Sequence, residues 1–361
     1  MTPLIPSIVS LASLNDATFE LALQSKIDQK TKPLGALGQL ESLAAQLARI
    51  QGRLMPLLLQ PQLVVFAADH GLAARGVSAY PQDVSWQMVE NFLAGGAAVS
   101  VLARQHGLNL TVVDCGVNHD FLAGLPAGQE RGGLLVRKVT GREGGTADAL
   151  STVAMTPDQC AQAIAQGRAL LQTLPGNALL LGEMGIGNTS AAALLLARLG
   201  GHDIESCTGA GTGLDAPAVQ RKAGVLRCVL ERHAQARSPL DALAAFGGLE
   251  IATMVGAVLQ AAAERRTIVV DGFIASSAVL VACALQPAVR ERCVFAHCSG
   301  ERGHALMLND LKAQPLLNLG LRLGEGSGAA LAWPLLVSAA AVLREMASFA
   351  SAGVSGAAPA P

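Results

Sequence analysis

The chain has 361 residues, 51% of them hydrophobic and 15% charged, with a formal net charge of -1. That balance fits a folded chain of one large domain and a smaller one, and it excludes an intrinsically disordered protein. It also excludes the basic face that phosphate neutralisation on a nucleic acid requires, and with aromatics at 3% there is no stacking surface for single strands.

The opening segment "MTPLIPSIVSLASLND" lacks the basic start and sustained apolar core of a secretory signal. The seven cysteines are scattered without a C-x-x-C pair, which points to reduced thiols and a cytoplasmic location. His297-Cys298 is the only adjacent His/Cys pair, too little for a metal site, so neither a metal nor a cofactor is expected. Leu21 and Ile27, then Leu40, Leu43, Leu47 and Ile50, recur at helical spacing, and Pro33, Gly35 and Gly38 break the two helices apart.

After residue 60 the pattern changes. "LVVFAADHG", "LTVVDCGV", "ALLLGEMGIGN", "TIVVDGFIASS" and "CVFAHCSGERGH" are apolar runs, each ending in a turn and followed by a helical stretch. Unalternating apolar strands are buried on both faces, and their alternation with helices predicts a Rossmann-like α/β fold, a parallel sheet flanked by helices. Ligands of such a sheet bind beyond the carboxyl ends of the strands. A helix is expected to begin at Pro81 and another near Pro157. From about residue 305 helix returns. The expected division is a small helical domain from residues 1–60 plus 305–350, a large α/β domain over 61–304, and a disordered tail over 351–361. The uncharged run after Glu325 reads as a buried helix rather than a membrane span, because no aromatic or basic anchors frame it.

The strongest chemical feature is Gly182-Glu183-Met184-Gly185-Ile186-Gly187-Asn188-Thr189-Ser190, between a strand and a long Ala/Leu helix. Glycines let backbone N–H groups approach an anion, and a helix N-terminus adds positive partial charge. The G-K-[ST] ending of a P-loop is missing, and Ser190 stands where a dinucleotide fingerprint has its third glycine. Phosphate binding is the favoured reading, with a plain tight turn the alternative. "CTGAGTGLD" offers a second glycine turn, and the helix after it carries Lys222, which either faces water or points back at the turn. Asp271 ends a strand, but Gly272 stands where pyrophosphate-dependent phosphoribosyltransferases carry a second acid, which leaves Asp271 to a ribose hydroxyl or a structural turn. Asp69 and His70 are neighbours on a strand and point to opposite faces, so they are not expected to form a catalytic dyad. Tyr80, Trp86 and Met88 either wall a flat ring or belong to the core.

"KTKPLGALGQLE", "AADHG", "GVSAYPQDVSWQM", "LGEMGIGNTS", "TGAGTGLD", "VVDGFIASSA", "SGERGH" and "LRLGEGSGAALA" follow one another in this order. Together they resemble the nicotinate-nucleotide–dimethylbenzimidazole phosphoribosyltransferases from about residue 26 to 347. The resemblance implies transfer of the phosphoribosyl group of nicotinate mononucleotide to 5,6-dimethylbenzimidazole, giving α-ribazole 5′-phosphate and nicotinate. It implies a homodimer whose second subunit helps close the base pocket. It gives Glu325 the role of general base, and Ser78, Tyr80, Pro81, Gln87, Met88 and Leu323 the benzimidazole site. Glu183, Gly185, Gly187, Asn188, Thr189, Gly211, Gly213, Lys222, Asp271, Ser299 and Gly300 fall to the nucleotide. The competing readings are a kinase or hydrolase using the glycine turns for a triphosphate, and a non-catalytic nucleotide-binding protein.

Overall fold

A computed structural model of the chain describes residues 10–126, 129, 131–141 and 144–355. Its strands are β1 (Gln62–Ala68), β2 (Asn109–Gly116), β3 (Leu134–Val136), β4 (Ala178–Met184), β5 (Thr267–Val270) and β6 (Cys293–Phe295). Its helices are α1 (Ala17–Asp28), α2 (Gln39–Gln51), α3 (Val84–Ala94), α4 (Ala98–His106), α5 (Pro157–Thr173), α6 (Asn188–Gly200), α7 (Ile204–Cys207), α8 (Ala216–Arg232), α9 (Pro239–Phe246), α10 (Leu249–Ala263), α11 (Phe273–Leu285), α12 (Arg302–Asp310), α13 (Ser327–Glu345) and α14 (Phe349–Ala352).

All five expected strands are present and every pairing is parallel. The order is β3-β2-β1-β4-β5-β6, the doubly wound arrangement whose direction reverses between β1 and β4. The sixth strand, β3, is three residues long and pairs outside β2. It is too short to show a periodicity, which is why the sequence reading passes over it.

β1 explains the two layers. All seven of its residues are buried. Val64 and Phe66 face the helices α5, α6, α10 and α11, while Leu63, Val65 and Ala67 face α2, α3, α4 and α13. The period of two distributes one apolar run between two cores. α2 and α13 pack on one another, bringing the two ends of the chain together on the second face. In α1, Leu23 and Ile27 are buried while Leu21 points outward at 76% exposure.

Two expected boundaries move. Pro81 precedes a turn rather than a helix: Val84 and Ser85 donate backbone N–H groups to Pro81 and Gln82, and α3 starts at Val84. Of the expected tail, Ser351 and Ala352 complete α14, whose capping box at Ser348 starts a short helix in a polar stretch. Residues 356–361 and the first nine residues lie outside the described ones.

Among the described residues α13 is the one helix long and apolar enough to cross a membrane. Its stripe of Ala329, Ala332, Trp333, Leu336, Ala340 and Leu343 is buried.

Candidate active site

A cleft opens at the carboxyl ends of β4, β5 and β6, on one side of the switch point. Its walls include Glu183, Gly185, Asn188, Thr189, Gly211, Ser299, Leu323 and Glu325, eight of the expected site residues drawn from four distant parts of the chain.

Glu325 sits in the tightest turn of the site. Gly324, Glu325 and Gly326 all take left-handed backbone angles, φ +81, +65 and +90°. For glutamate that conformation costs about 1–2 kcal/mol, so something must impose it. Asp271 does. Its carboxylate accepts the N–H of Gly326 at 3.2 Å and of Ala329 at 2.9 Å, capping α13 just after the turn. Asp271 is thus a structural acid, 1% exposed, and burial drives its carboxyl above the ordinary range.

Glu325 itself is 5% exposed, and its Oε2 has no hydrogen-bond partner among the described residues. Burial, helped by repulsion from Asp271, pushes its carboxyl up to about 7. Glu183 stands beside it, since a Cβ on Gly324 would overlap Glu183 Oε1. Asn188 donates its side-chain N–H to Glu183 Oε2. Burial and the nearby acids Asp271, Glu250 and Glu325 push Glu183 up to about 8. Two adjacent carboxyls poised near neutrality are suited to moving a proton.

The expected phosphate end is built from two turns held together. Gly187, at φ +97°, is the N-cap of α6, whose first residues Asn188 and Thr189 line the cleft, so the helix start lends it positive partial charge. The turn is held from behind by Ser85, whose Oγ accepts the N–H of Ile186 at 3.1 Å. Lys222 points back, not to water. It is 1% exposed and donates to Thr189 Oγ1 at 2.8 Å, and burial lowers its ammonium to about 8. Gly211 donates its N–H to Glu301 at 3.3 Å, tying the second turn to the Ser299 loop. Gly213 continues that turn at φ +127° without lining the cleft. Gly300 also stands behind the wall, its N–H bonded to Leu321 O at 2.8 Å.

The expected benzimidazole residues divide. Leu323, 57% exposed, forms the rim, and Ser78 Oγ lies 3.4 Å from Thr212 Oγ1, a wall residue. Tyr80, Pro81, Gln87 and Met88 do not line the cleft in the single chain. Tyr80 is 52% exposed, Met88 packs on the core, and Trp86 stacks on His119 with centroids 4.7 Å apart. Asp69 and His70 lie just past the end of β1 rather than on a strand, and they have separate partners. Asp69 accepts the N–H of Asn118 at 2.8 Å, and His70 pairs with buried Glu250 at 2.7 Å. Sequence reasoning left Thr212, His297, Glu301 and Arg322 unassigned, although all four line the cleft and lie in the quoted motifs.

This fold and cleft define an α/β protein with a small-molecule cleft at the carboxyl ends of its parallel strands. A family profile described as phosphoribosyltransferase matches residues 13–354. A relative from Variovorax paradoxus is 66% identical over 98% of this chain and 99% of its own length. Another from Dechloromonas aromatica is 55% identical over 95% and 97%. Both bear the name nicotinate-nucleotide–dimethylbenzimidazole phosphoribosyltransferase. The crystal structure of CobT from Thermus thermophilus superposes with a TM-score of 0.88 at 40% identity, covering 94% of this chain and 100% of that one. The chain belongs to the family of nicotinate-nucleotide–dimethylbenzimidazole phosphoribosyltransferases.

Proposed function

We propose that the chain transfers the phosphoribosyl group of nicotinate mononucleotide to 5,6-dimethylbenzimidazole with inversion at C1′, and that Glu325 is the general base. The products are α-ribazole 5′-phosphate and nicotinate. The observation that carries this reading is Glu325, a buried carboxyl with an unpartnered oxygen, in the wall of a cleft that also takes in the first residues of helix α6.

One ring nitrogen of the benzimidazole attacks C1′. Positive charge spreads into the ring and the other N–H becomes acidic. The proton passes to Glu325, a transfer worth ~10²–10⁴ in rate. The apolar setting that raises the Glu325 carboxyl also strengthens its attraction for the charged ring. Nicotinate leaves as a neutral ring from a positively charged pyridinium, so it needs no acid. Attack opposite to departure converts the β bond into the α bond. The turns at Gly185–Thr189 and Gly211, with Lys222 behind Thr189, anchor the phosphate, and holding both rings in line across C1′ supplies several kcal/mol as an orientation effect.

In this reading Leu323 and Ser78 touch the benzimidazole, and the Tyr80–Met88 segment completes its outer wall when a second copy of the chain packs over the cleft. Leu323 on the rim and Tyr80 in that segment are both more than half exposed, which suits a covered surface. The enzyme acts as a cytoplasmic homodimer on small molecules, apart from membranes and nucleic acids. Incubation with nicotinate mononucleotide and 5,6-dimethylbenzimidazole, read by mass spectrometry and NMR, should give α-ribazole 5′-phosphate. A β product, or release of nicotinate without a new glycosidic bond, would rule the reading out.

A further inference from the structure

His297 lines the cleft, is 1% exposed, and has no hydrogen-bond partner on either ring nitrogen among the described residues. Its neighbour His304, 6.1 Å away between ring centroids, shows what a satisfied imidazole looks like here. His304 Nδ1 accepts the N–H of Ser299 at 2.8 Å, and its Nε2 lies 3.0 Å from Ser276 Oγ. A neutral imidazole carries one donor and one acceptor. Leaving both unused in a buried place is costly, and in a ligand cleft it marks a position that the ligand completes.

The ring is fixed between Gly328 and Asp271, at the start of α13. A Cβ on Gly328 would overlap it, and Nε2 lies 3.6 Å from Asp271 Oδ1. Asp271 is the acid that caps the Glu325 turn. Both His297 and Glu325 line the cleft, and both lie at the start of α13: the ring packs against Gly328, and Glu325 immediately precedes the N-cap Gly326. With its proton on Nε2, the nitrogen 3.6 Å from the Asp271 carboxylate, the neutral ring offers Nδ1 as an acceptor. A hydroxyl can satisfy an acceptor, and a phosphate dianion cannot.

We propose that His297 binds the ribose of the nucleotide substrate, accepting a hydrogen bond from the 2′-hydroxyl beside C1′. This rests on the phosphoribosyl-transfer reading. Hydrogen bonds to the hydroxyl next to a reacting anomeric carbon strengthen as oxocarbenium character develops, so the contact acts on transfer more than on binding.

The test compares kcat/KM for nicotinate mononucleotide and its 2′-deoxy analogue in the wild-type enzyme, His297→Ala and His297→Asn. Wild type should prefer the ribonucleotide by about 10- to 100-fold. His297→Ala should lose most of that preference, and His297→Asn, whose amide oxygen comes near the place of Nδ1, should recover part of it. A preference unchanged in His297→Ala, or no preference in wild type, overturns the proposal. Should His297→Ala not fold, the ¹⁵N shifts of the His297 ring in the wild-type enzyme serve instead: they should move when nicotinate mononucleotide is added and much less with the 2′-deoxy analogue. Equal movement with both overturns the proposal. Absence of any transfer by wild type overturns the underlying reading and this one with it, whereas normal transfer without the ribose preference overturns this one alone.

Discussion

Replacing Glu325 by glutamine should make the protein more stable in alkali and nearly inactive. The Glu325 carboxyl is raised from 4.5 to about 7 by burial and by Asp271. At 1.36 kcal/mol for each tenfold change in ionisation, holding it charged in the folded state costs about 3 kcal/mol. The native chain binds the extra proton, so the stabilising contribution is complete below pH 4.5 and is lost as the pH rises through about 7. Glutamine has the same shape and no charge to desolvate. Thermal melts of wild type and Glu325→Gln should therefore agree near pH 5 and separate by several degrees near pH 9, the variant melting higher. Turnover should fall by ~10²–10⁴ in the same variant. A variant that melts below wild type by the same margin at both pH values, or that keeps its turnover, would refute the reasoning from burial to base.

The remaining expectations concern the surroundings of that turn. Lys222→Met removes the bond to Thr189, and the KM for nicotinate mononucleotide should rise about tenfold or more with kcat little altered; a matching loss with the phosphate-free riboside would contradict a phosphate role. Gly324→Ala places a Cβ against Glu183 at φ +81°, so steady-state assays should show weaker turnover and melts should show a loss of about 1–2 kcal/mol. Asp271→Ala should cost a similar ~1–2 kcal/mol through the lost cap of α13, and should lower kcat with little change in nucleotide binding by calorimetry. In wild type, kcat/KM for the acceptor base should rise with pH through about 7 as Glu325 loses its proton; a flat profile would remove that carboxylate from the chemistry.

Much of this architecture is legible in the sequence because the main strands are apolar on both faces and end in glycines. β1, β2, β4, β5 and β6 announce themselves that way, and their carboxyl ends locate the cleft. Lys222 is not legible. A lysine on a helix gives no sign of which way it points, and its partner Thr189 lies 33 residues earlier. Asp271 is ambiguous for a similar reason, since its role as the cap of α13 depends on N–H groups 55 and 58 residues downstream. The segment from Tyr80 to Met88 shows a different gap. Its motif is plain, but a single chain gives those side chains no cleft to line. His297 is hidden in the string because an unpartnered ring nitrogen is a property of packing, not of spacing.

The most direct measurement is the position of the acceptor base in a crystal of the enzyme bound to 5,6-dimethylbenzimidazole. The account predicts a Glu325 carboxylate oxygen about 3 Å from a ring nitrogen, with the opposite nitrogen facing the phosphate turns. A base seated away from Glu325, or a Glu325 carboxylate turned out to solvent with the base bound, would contradict it.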